Sequence, residues 1–235
     1  ELTCSTGCTE NCRYTLLEEG AHQLAVAKAQ LAKDGKGICG DCGGTVLLES
    51  GLQLMMISDG MGAGATAARE ANAALSMLSR LLETGFTRDT AIDTVNAAMA
   101  LRSPSETFVT LDLCMVNLYN GQAEFVKTGA APSFMKRGNE VKVIEGRSLP
   151  VGMLTAVEKE VIEEQIQVGD MIVMASDGLL DVGNKTDTEW LASVLAQYQG
   201  QDPQGLAEYL LHRAVDISGG RLRDDITVLA VQMTA

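Results

Sequence analysis

Residues 52–60 read LQLMMISDG, an unbroken apolar run, Leu54-Met55-Met56-Ile57, that stops dead at Ser58-Asp59-Gly60. Four consecutive apolar residues bounded by turn formers read as a strand buried on both faces. The pattern recurs more than a hundred residues later. Met174-Ala175 close the apolar strand Met171–Ala175, and Ser176-Asp177-Gly178 follow. A third acidic pair, Asp224-Asp225, stands at the start of the apolar strand Ile226–Met233. One Asp-Gly is an ordinary turn. Carboxylates at the ends of three buried strands are another matter, because each is costly to desolvate unless something pairs with it.

Outward from 52–60 the grammar is strands, two helices, strands, two helices, one strand. Leu24 and Val26 open a strand after His22, and Thr45–Glu49 pairs with Leu52–Ser58 about the Ser50-Gly51 turn. A helix is predicted from Gly64 to Thr84, with Ala67, Ala71, Leu75, Leu78 and Leu82 on one face and Gly85 as its stop. A second is predicted over Arg88–Leu101 behind a Thr87 cap, with Ile92, Val95 and Met99 as its stripe and Pro104 beyond it. From Thr107 to Met174, turn signals at Asn120-Gly121, Gly138-Asn139 and Gly169-Asp170 divide a β region that reads as an antiparallel meander. Helices over Trp190–Gln199 and from the Asp202-Pro203 cap to Ile217 follow. Clustered strands and clustered helices make this an α+β layered chain rather than an alternating α/β one. Residues 1–20, with Cys4, Cys8 and Cys12 in an aperiodic polar stretch, read as a linker or tail, leaving 21–235 as the domain.

Composition narrows the chemistry. The chain has 235 residues with 18 Lys+Arg against 31 Asp+Glu, a formal charge of −13, and 46% hydrophobic residues. That acid excess argues against nucleic acid, which is bound by neutralising phosphates with basic side chains. Two histidines, His22 and His212, make a His-rich zinc or iron centre unlikely on supply alone, whereas aspartates suit Mg²⁺ or Mn²⁺. Cys39-x-x-Cys42 lacks the partners of a zinc ribbon, and Cys114 reads as core packing. Gly62-Ala63-Gly64-Ala65-Thr66-Ala67 meets a dinucleotide-binding pattern in form, but strict strand–helix alternation does not follow it, and Glu83 falls near a helix end. No apolar run of membrane-spanning length is present, so the chain reads as soluble and cytoplasmic. It opens on Glu1 without an initiator Met, as an excised piece of a longer protein would.

Taken in order, Gly40-Asp41, Ser58-Asp59-Gly60-Met61-Gly62, Leu149-Pro150-Val151-Gly152, Ser176-Asp177-Gly178 and Arg223-Asp224-Asp225-Ile226-Thr227 resemble the metal-dependent PPM (PP2C-like) protein phosphatases. Within that superfamily they are most similar to the phosphatase domains of the stage II sporulation protein E family. The resemblance implies an α-β-β-α sandwich, two mostly antiparallel sheets flanked by helix pairs, with two Mn²⁺ or Mg²⁺ ions at one edge. Asp59 then matches the carboxylate that bridges both ions, the Gly60 carbonyl a backbone ligand, and Asp177 and Asp224 the remaining carboxylates. Asp41 matches an acidic position acting on the second ion through water, and Asp225 a residue supporting the ligands. Two divalent cations against three ligand aspartates leave a net positive site that can accept a phosphate and activate a water. Many superfamily members hold the phosphate with an Arg before the first hairpin; here the nearby cations are Lys33 and Lys36. No Cys is followed by five residues and an Arg, as cysteine-dependent phosphatases require: Cys8 has Arg13 one residue too close.

The resemblance further implies hydrolysis of phosphoserine on a phosphorylated anti-anti-sigma factor, activating a sporulation sigma factor. It implies a weak homodimer through the helices at about 64–101, with Gly62 and Gly64 as a regulatory hinge. The parent protein would be membrane-anchored at the division septum through a preceding region. The competing expectation is a catalytically weak binding or regulatory domain of the same fold.

Overall fold

Side-chain parity along the strands explains the architecture. The computed structural model describes residues 20–35, 37–62, 64–102, 108–154, 157–182 and 188–235. Its elements in chain order are β1 (Gln23–Leu31), β2 (Asp41–Leu47), β3 (Leu52–Asp59), α1 (Gly64–Glu83), α2 (Arg88–Arg102), β4 (Leu111–Asn117), β5 (Gln122–Thr128), β6 (Ser133–Arg137), β7 (Glu140–Ile144), β8 (Glu160–Gln165), β9 (Met171–Ala175), α3 (Asp177–Leu180), α4 (Thr188–Gln197), α5 (Pro203–Ser218) and β10 (Ile226–Thr234). The strands form two five-stranded sheets, ordered β1-β10-β9-β6-β7 and β2-β3-β4-β5-β8. Every pairing within them is antiparallel.

Because successive side chains of a strand face opposite ways, a strand buried on both faces feeds two cores. On β3, Leu54 and Met56 join Leu75, Leu78, Leu82, Ile92, Val95 and Met99 of α1 and α2 in one cluster. Met55 and Ile57 point the other way and meet Met174, Leu229 and Val231 of the facing sheet. On β10 the alternation is the same: Ile226, Val228 and Ala230 pack with Leu191, Leu206 and Leu210 of α4 and α5. The result is four layers: helix pair, sheet, sheet, helix pair, as the resemblance implied.

The helix ends follow their chemistry. Gly85, in the left-handed region at φ 88°, ends α1, and the Thr87 hydroxyl accepts from the Thr90 N–H at the start of α2. Asp202 caps α5 by accepting from the Gln204 and Gly205 N–H groups, with Pro203 in the first turn and Gly219 in the left-handed region at its end.

Four expectations need correction. Strand β2 begins at Asp41, not Thr45, because the ladder to β3 continues through Gly43 and Gly44, which have no side chains to show a strand's alternation. The connection at Asn120-Gly121 is four residues long, 118–121, closed by the Gly121 N–H donating to the Asn117 carbonyl. The region after α2 is not one meander: β4, β5 and β8 belong to one sheet, β6, β7 and β9 to the other. Helix α4 starts and ends two residues earlier than predicted, and the short α3 was not anticipated. The expected tail with Cys4, Cys8 and Cys12, and the residues Lys36, Pro104 and Thr107, lie outside the described residues.

Candidate metal centre

The two Ser-Asp-Gly ends meet across the gap between the sheets. Asp59 is the last residue of β3 and shares the inward parity of Met55 and Ile57. Its N–H donates to the Thr110 hydroxyl at 2.8 Å, and its carbonyl accepts from the Thr110 N–H at 2.9 Å. Directly across the β2–β3 ladder stands Asp41. From the other sheet, Asp177 follows β9 as the first residue of α3, after an extended Ser176 at the N-cap. Asp59 and Asp177 line one cavity together with Thr110, Asp112, Gly129, Ala131 and Ser176.

Both glycines are there for close approach. A Cβ on Gly60 would sit 2.2 Å from the Ala67 carbonyl oxygen of α1, and one on Gly178 would sit 2.0 Å from the Asp225 carbonyl oxygen. Beyond Gly60 the chain passes through Gly62 at φ 102° and enters α1 at Gly64, φ 70°, both in the left-handed region that favours glycine.

Asp224 and Asp225 lead into β10 with different duties. The Asp225 side chain turns to the β1–β2 loop: its two oxygens accept from the Lys33 N–H at 2.7 Å and the Gly40 N–H at 2.5 Å. Asp224 accepts from the Asp225 N–H at 2.9 Å, and its charge acts on both Asp59 and Asp177.

The electrostatics show how crowded this end is. Burial, then the charges of Asp41, Asp177 and Asp224, push the Asp59 carboxyl up to about 8. Asp41 rises to about 6, chiefly through burial, although hydrogen bonding with Ser176 and Thr227 works against the rise. Asp177 is raised by burial and by the charges of Asp224 and Asp181. Mutual repulsion opposes closer approach, and among the described residues no three His, Cys, Asp or Glu side chains are gathered tightly enough to enclose an ion.

The residues nevertheless fit a hard divalent cation. Asp41 is 4% exposed, and its Oδ2 is buried with no hydrogen-bond partner. An orphaned carboxylate oxygen among other carboxylates is what a cation satisfies. Arg223, the nearest basic residue in sequence, is engaged with Asp181 at 3.7 Å. The cysteine pair does not compete: Cys42 Sγ donates to the Ala68 carbonyl on α1, whereas Cys39 Sγ contacts the Thr227 hydroxyl on β10. Burial raises both thiols, Cys39 to about 11, so neither is a ready thiolate. Cys114 is fully buried in the core, where its composition placed it.

Besides Thr110, three site-related residues escaped the sequence reading. Asp112 lines the same cavity as Asp59, yet carries its own cation: Lys127 Nζ donates to Asp112 at 2.7 Å, to the Ala131 carbonyl at 2.7 Å and to Ser133 Oγ at 2.8 Å. Cross-strand facing of an acid and a lysine is the only signal for that pair. The third is Asn96, buried on α2.

Comparison with known proteins agrees with this fold. The family model of stage II sporulation protein E (SpoIIE) matches residues 49–234. Stage II sporulation protein E of Bacillus subtilis is 32% identical over 215 residues, 91% of this chain but only 26% of that protein. The solved PP2C phosphatase domain of the Bacillus subtilis cell fate determinant SpoIIE, with a fragment of its regulatory domain, superposes with a TM-score of 0.84 at 32% identity. That match covers 92% of this chain and 63% of that one. The phosphoserine phosphatase RsbU of Bacillus subtilis is 20% identical over 181 residues, 75% of this chain and 54% of that protein. Among the described residues no helix is long and apolar enough to cross a membrane. The chain belongs to the stage II sporulation protein E family and has the fold of its PP2C phosphatase domain.

Proposed function

We propose that this chain is a metal-dependent phosphoserine protein phosphatase of the PPM class. The observation that carries the reading is the convergence of Asp59 and Asp177, from opposite sheets, on one cavity beside the orphaned Asp41 oxygen. Asp59, the Gly60 carbonyl, Asp177 and Asp224 would hold two Mn²⁺ or Mg²⁺ ions, with Asp41 acting on the second. Such ions supply Lewis acidity and lower the pKa of a bound water. The chain's own part is to orient and to exclude. Thr110 fixes the Asp59 backbone from both sides, and Asp225 anchors Lys33 and Gly40 between β1 and β2. Among the described residues lining the cavity none is basic, and Lys127 behind it is engaged by Asp112, so bound cations would supply the charge that attracts a phosphate.

The substrate read from the family is a phosphorylated anti-anti-sigma factor, whose dephosphorylation activates a sporulation sigma factor. The phosphoserine specificity of RsbU supports the serine assignment. The parent protein would anchor in the membrane at the division septum. A weak homodimer through α1 and α2 is supported by Phe86 at their junction and Leu101 at the end of α2, both exposed apolar side chains. Constant mass and specific activity across a wide concentration range would exclude that dimer. The deciding experiment is a Mn²⁺ titration of phosphate release from a phosphoserine protein, using this chain, Asp59→Ala and Asp177→Ala. Metal-dependent release that both substitutions abolish supports the enzyme. Release unaffected by metal or by either substitution overturns it, and absence of release throughout favours a binding domain of the same fold.

A further inference from the structure

Helix α2 buries the stripe Ile92, Val95, Asn96 and Met99. Three members are apolar and pack against the sheet containing β3. The fourth is an amide only 2% exposed. Burying an amide is unfavourable unless its donor and acceptor are both used. Asn96 uses both on one short segment: Oδ1 accepts from the Gly152 N–H at 2.8 Å, and Nδ2 donates to the Leu154 carbonyl at 3.0 Å.

That segment leads straight to the site. Val151 and Val109 exchange both backbone hydrogen bonds, at 2.9 and 3.1 Å. Val109 is in turn bridged to Gly60, and the Met61 N–H donates to the Phe108 carbonyl at 3.2 Å. A backbone ladder of two bridges, Val151–Val109–Gly60, therefore runs from the residue beside Gly152 to the candidate carbonyl ligand. These are isolated bridges, not part of either sheet, so their position depends on what holds Val151 as well as on the Thr110 bonds to Asp59. The sheet side grips the same segment through the Ser148 hydroxyl donating to the Lys127 carbonyl and the Gly129 N–H donating to the Ser148 carbonyl. The helix side grips it through Asn96.

We infer that Asn96 is a positioning residue for the metal centre: by fixing Gly152 and Leu154 it sets Val151, and through Val109 the depth at which the Gly60 carbonyl and the Asp59 carboxylate are presented. The inference rests on the metal-binding reading of the site. Residues that orient ligands without touching the ion typically change metal affinity by 10–100-fold when altered.

The test compares the whole chain with Asn96→Ala, Asn96→Gln and Val95→Ala, measuring Mn²⁺ binding by calorimetry and amide hydrogen exchange without metal. Asn96→Gln keeps the amide but moves it by one methylene, so it serves if Asn96→Ala folds poorly. Both Asn96 variants are expected to lose roughly tenfold in Mn²⁺ affinity. Their exchange should accelerate at Val109, Val151 and Gly152 while the β3 and β4 amides keep their protection. Val95→Ala should lose stability with unchanged Mn²⁺ affinity. Unchanged affinity in the Asn96 variants, or acceleration spread evenly over the chain, overturns the inference alone. Failure of the unaltered chain to bind Mn²⁺ overturns both the inference and the function on which it rests.

Discussion

Ser58-Asp59-Gly60 and Ser176-Asp177-Gly178 are the same tripeptide built into two different backbones. Asp59 is still in a strand, and the chain goes on through a bridge and the left-handed Gly62 before its helix begins at a left-handed Gly64. Asp177 is already in a helix, with Ser176 as the extended residue before it. The glycines face different neighbours as well, the Ala67 carbonyl of α1 in one case and the Asp225 carbonyl in the other. A shared motif here records a shared demand rather than a shared conformation. A carboxylate must stand at the mouth of the sandwich, and the next residue must leave room for backbone.

If the two ends serve one site, Asp59→Asn and Asp177→Asn should each lower metal-dependent phosphatase activity by about 10³-fold, near the upper end for removing one electrostatic element of a catalytic site. Loss in only one of them, measured as initial rates at saturating Mn²⁺, would break the equivalence. A third carboxylate of the same cavity sharpens the contrast, because Asp112 has Lys127 as a permanent partner and both side chains are at most 2% exposed. Lys127→Met should cost about 3 kcal/mol, since it strands a buried charge. The double variant with Asp112→Leu should recover most of that loss in chemical denaturation.

Next in size are the glycines. Gly60→Ala and Gly178→Ala should each cost about 2 kcal/mol, because the colliding atoms belong to the backbone and cannot rotate away. Equal losses with unequal effects on Mn²⁺ affinity would show that α1 transmits its displacement to the site and β10 does not. The comparison can also be sharpened by pH. In chelator, the folded chain holds a proton on Asp59 up to about 8, against 3.8 for the ordinary carboxyl. The folded state then binds more protons than the unfolded one, so stability falls as pH rises through that window. Asp59→Asn should flatten the fall in thermal midpoint, whereas a slope unchanged by the substitution would assign it to other groups.

How much of this was legible depended on what each residue had to signal. The Asp59 and Asp177 ends were readable because unbroken apolar runs announce strands buried on both faces. Asp112 and Lys127 were not: in an alternating strand a charged residue is ordinarily on the solvent face, and only the second sheet makes that face interior. Gly43-Gly44 carry no side chains to show alternation, which hid the first four residues of β2 and with them the fact that Asp41 sits in the ladder opposite Asp59. The partition of β4 to β9 between two sheets is decided by connections that cross the sandwich, and no local pattern encodes a crossing. Asn96 was readable in principle. It stands one residue after Val95, on a stripe whose other members are apolar, and a polar residue in such a place marks a fixed hydrogen-bonding task.

The latch made by Asp225 spans 192 positions to Lys33, and β1 lies against β10 along its whole length, Gln23 opposite Thr234. Such pairing postpones part of the fold until the last strand exists. On the ribosome, a nascent chain can complete the hairpin of β2 and β3 early, yet it lacks Asp224, Asp225 and the partner of β1 until residues 224–234 have emerged. Order of synthesis thus acts as a timer, and a chain cut short by a stalled ribosome would carry the first Ser-Asp-Gly without the charge of Asp224 acting on it.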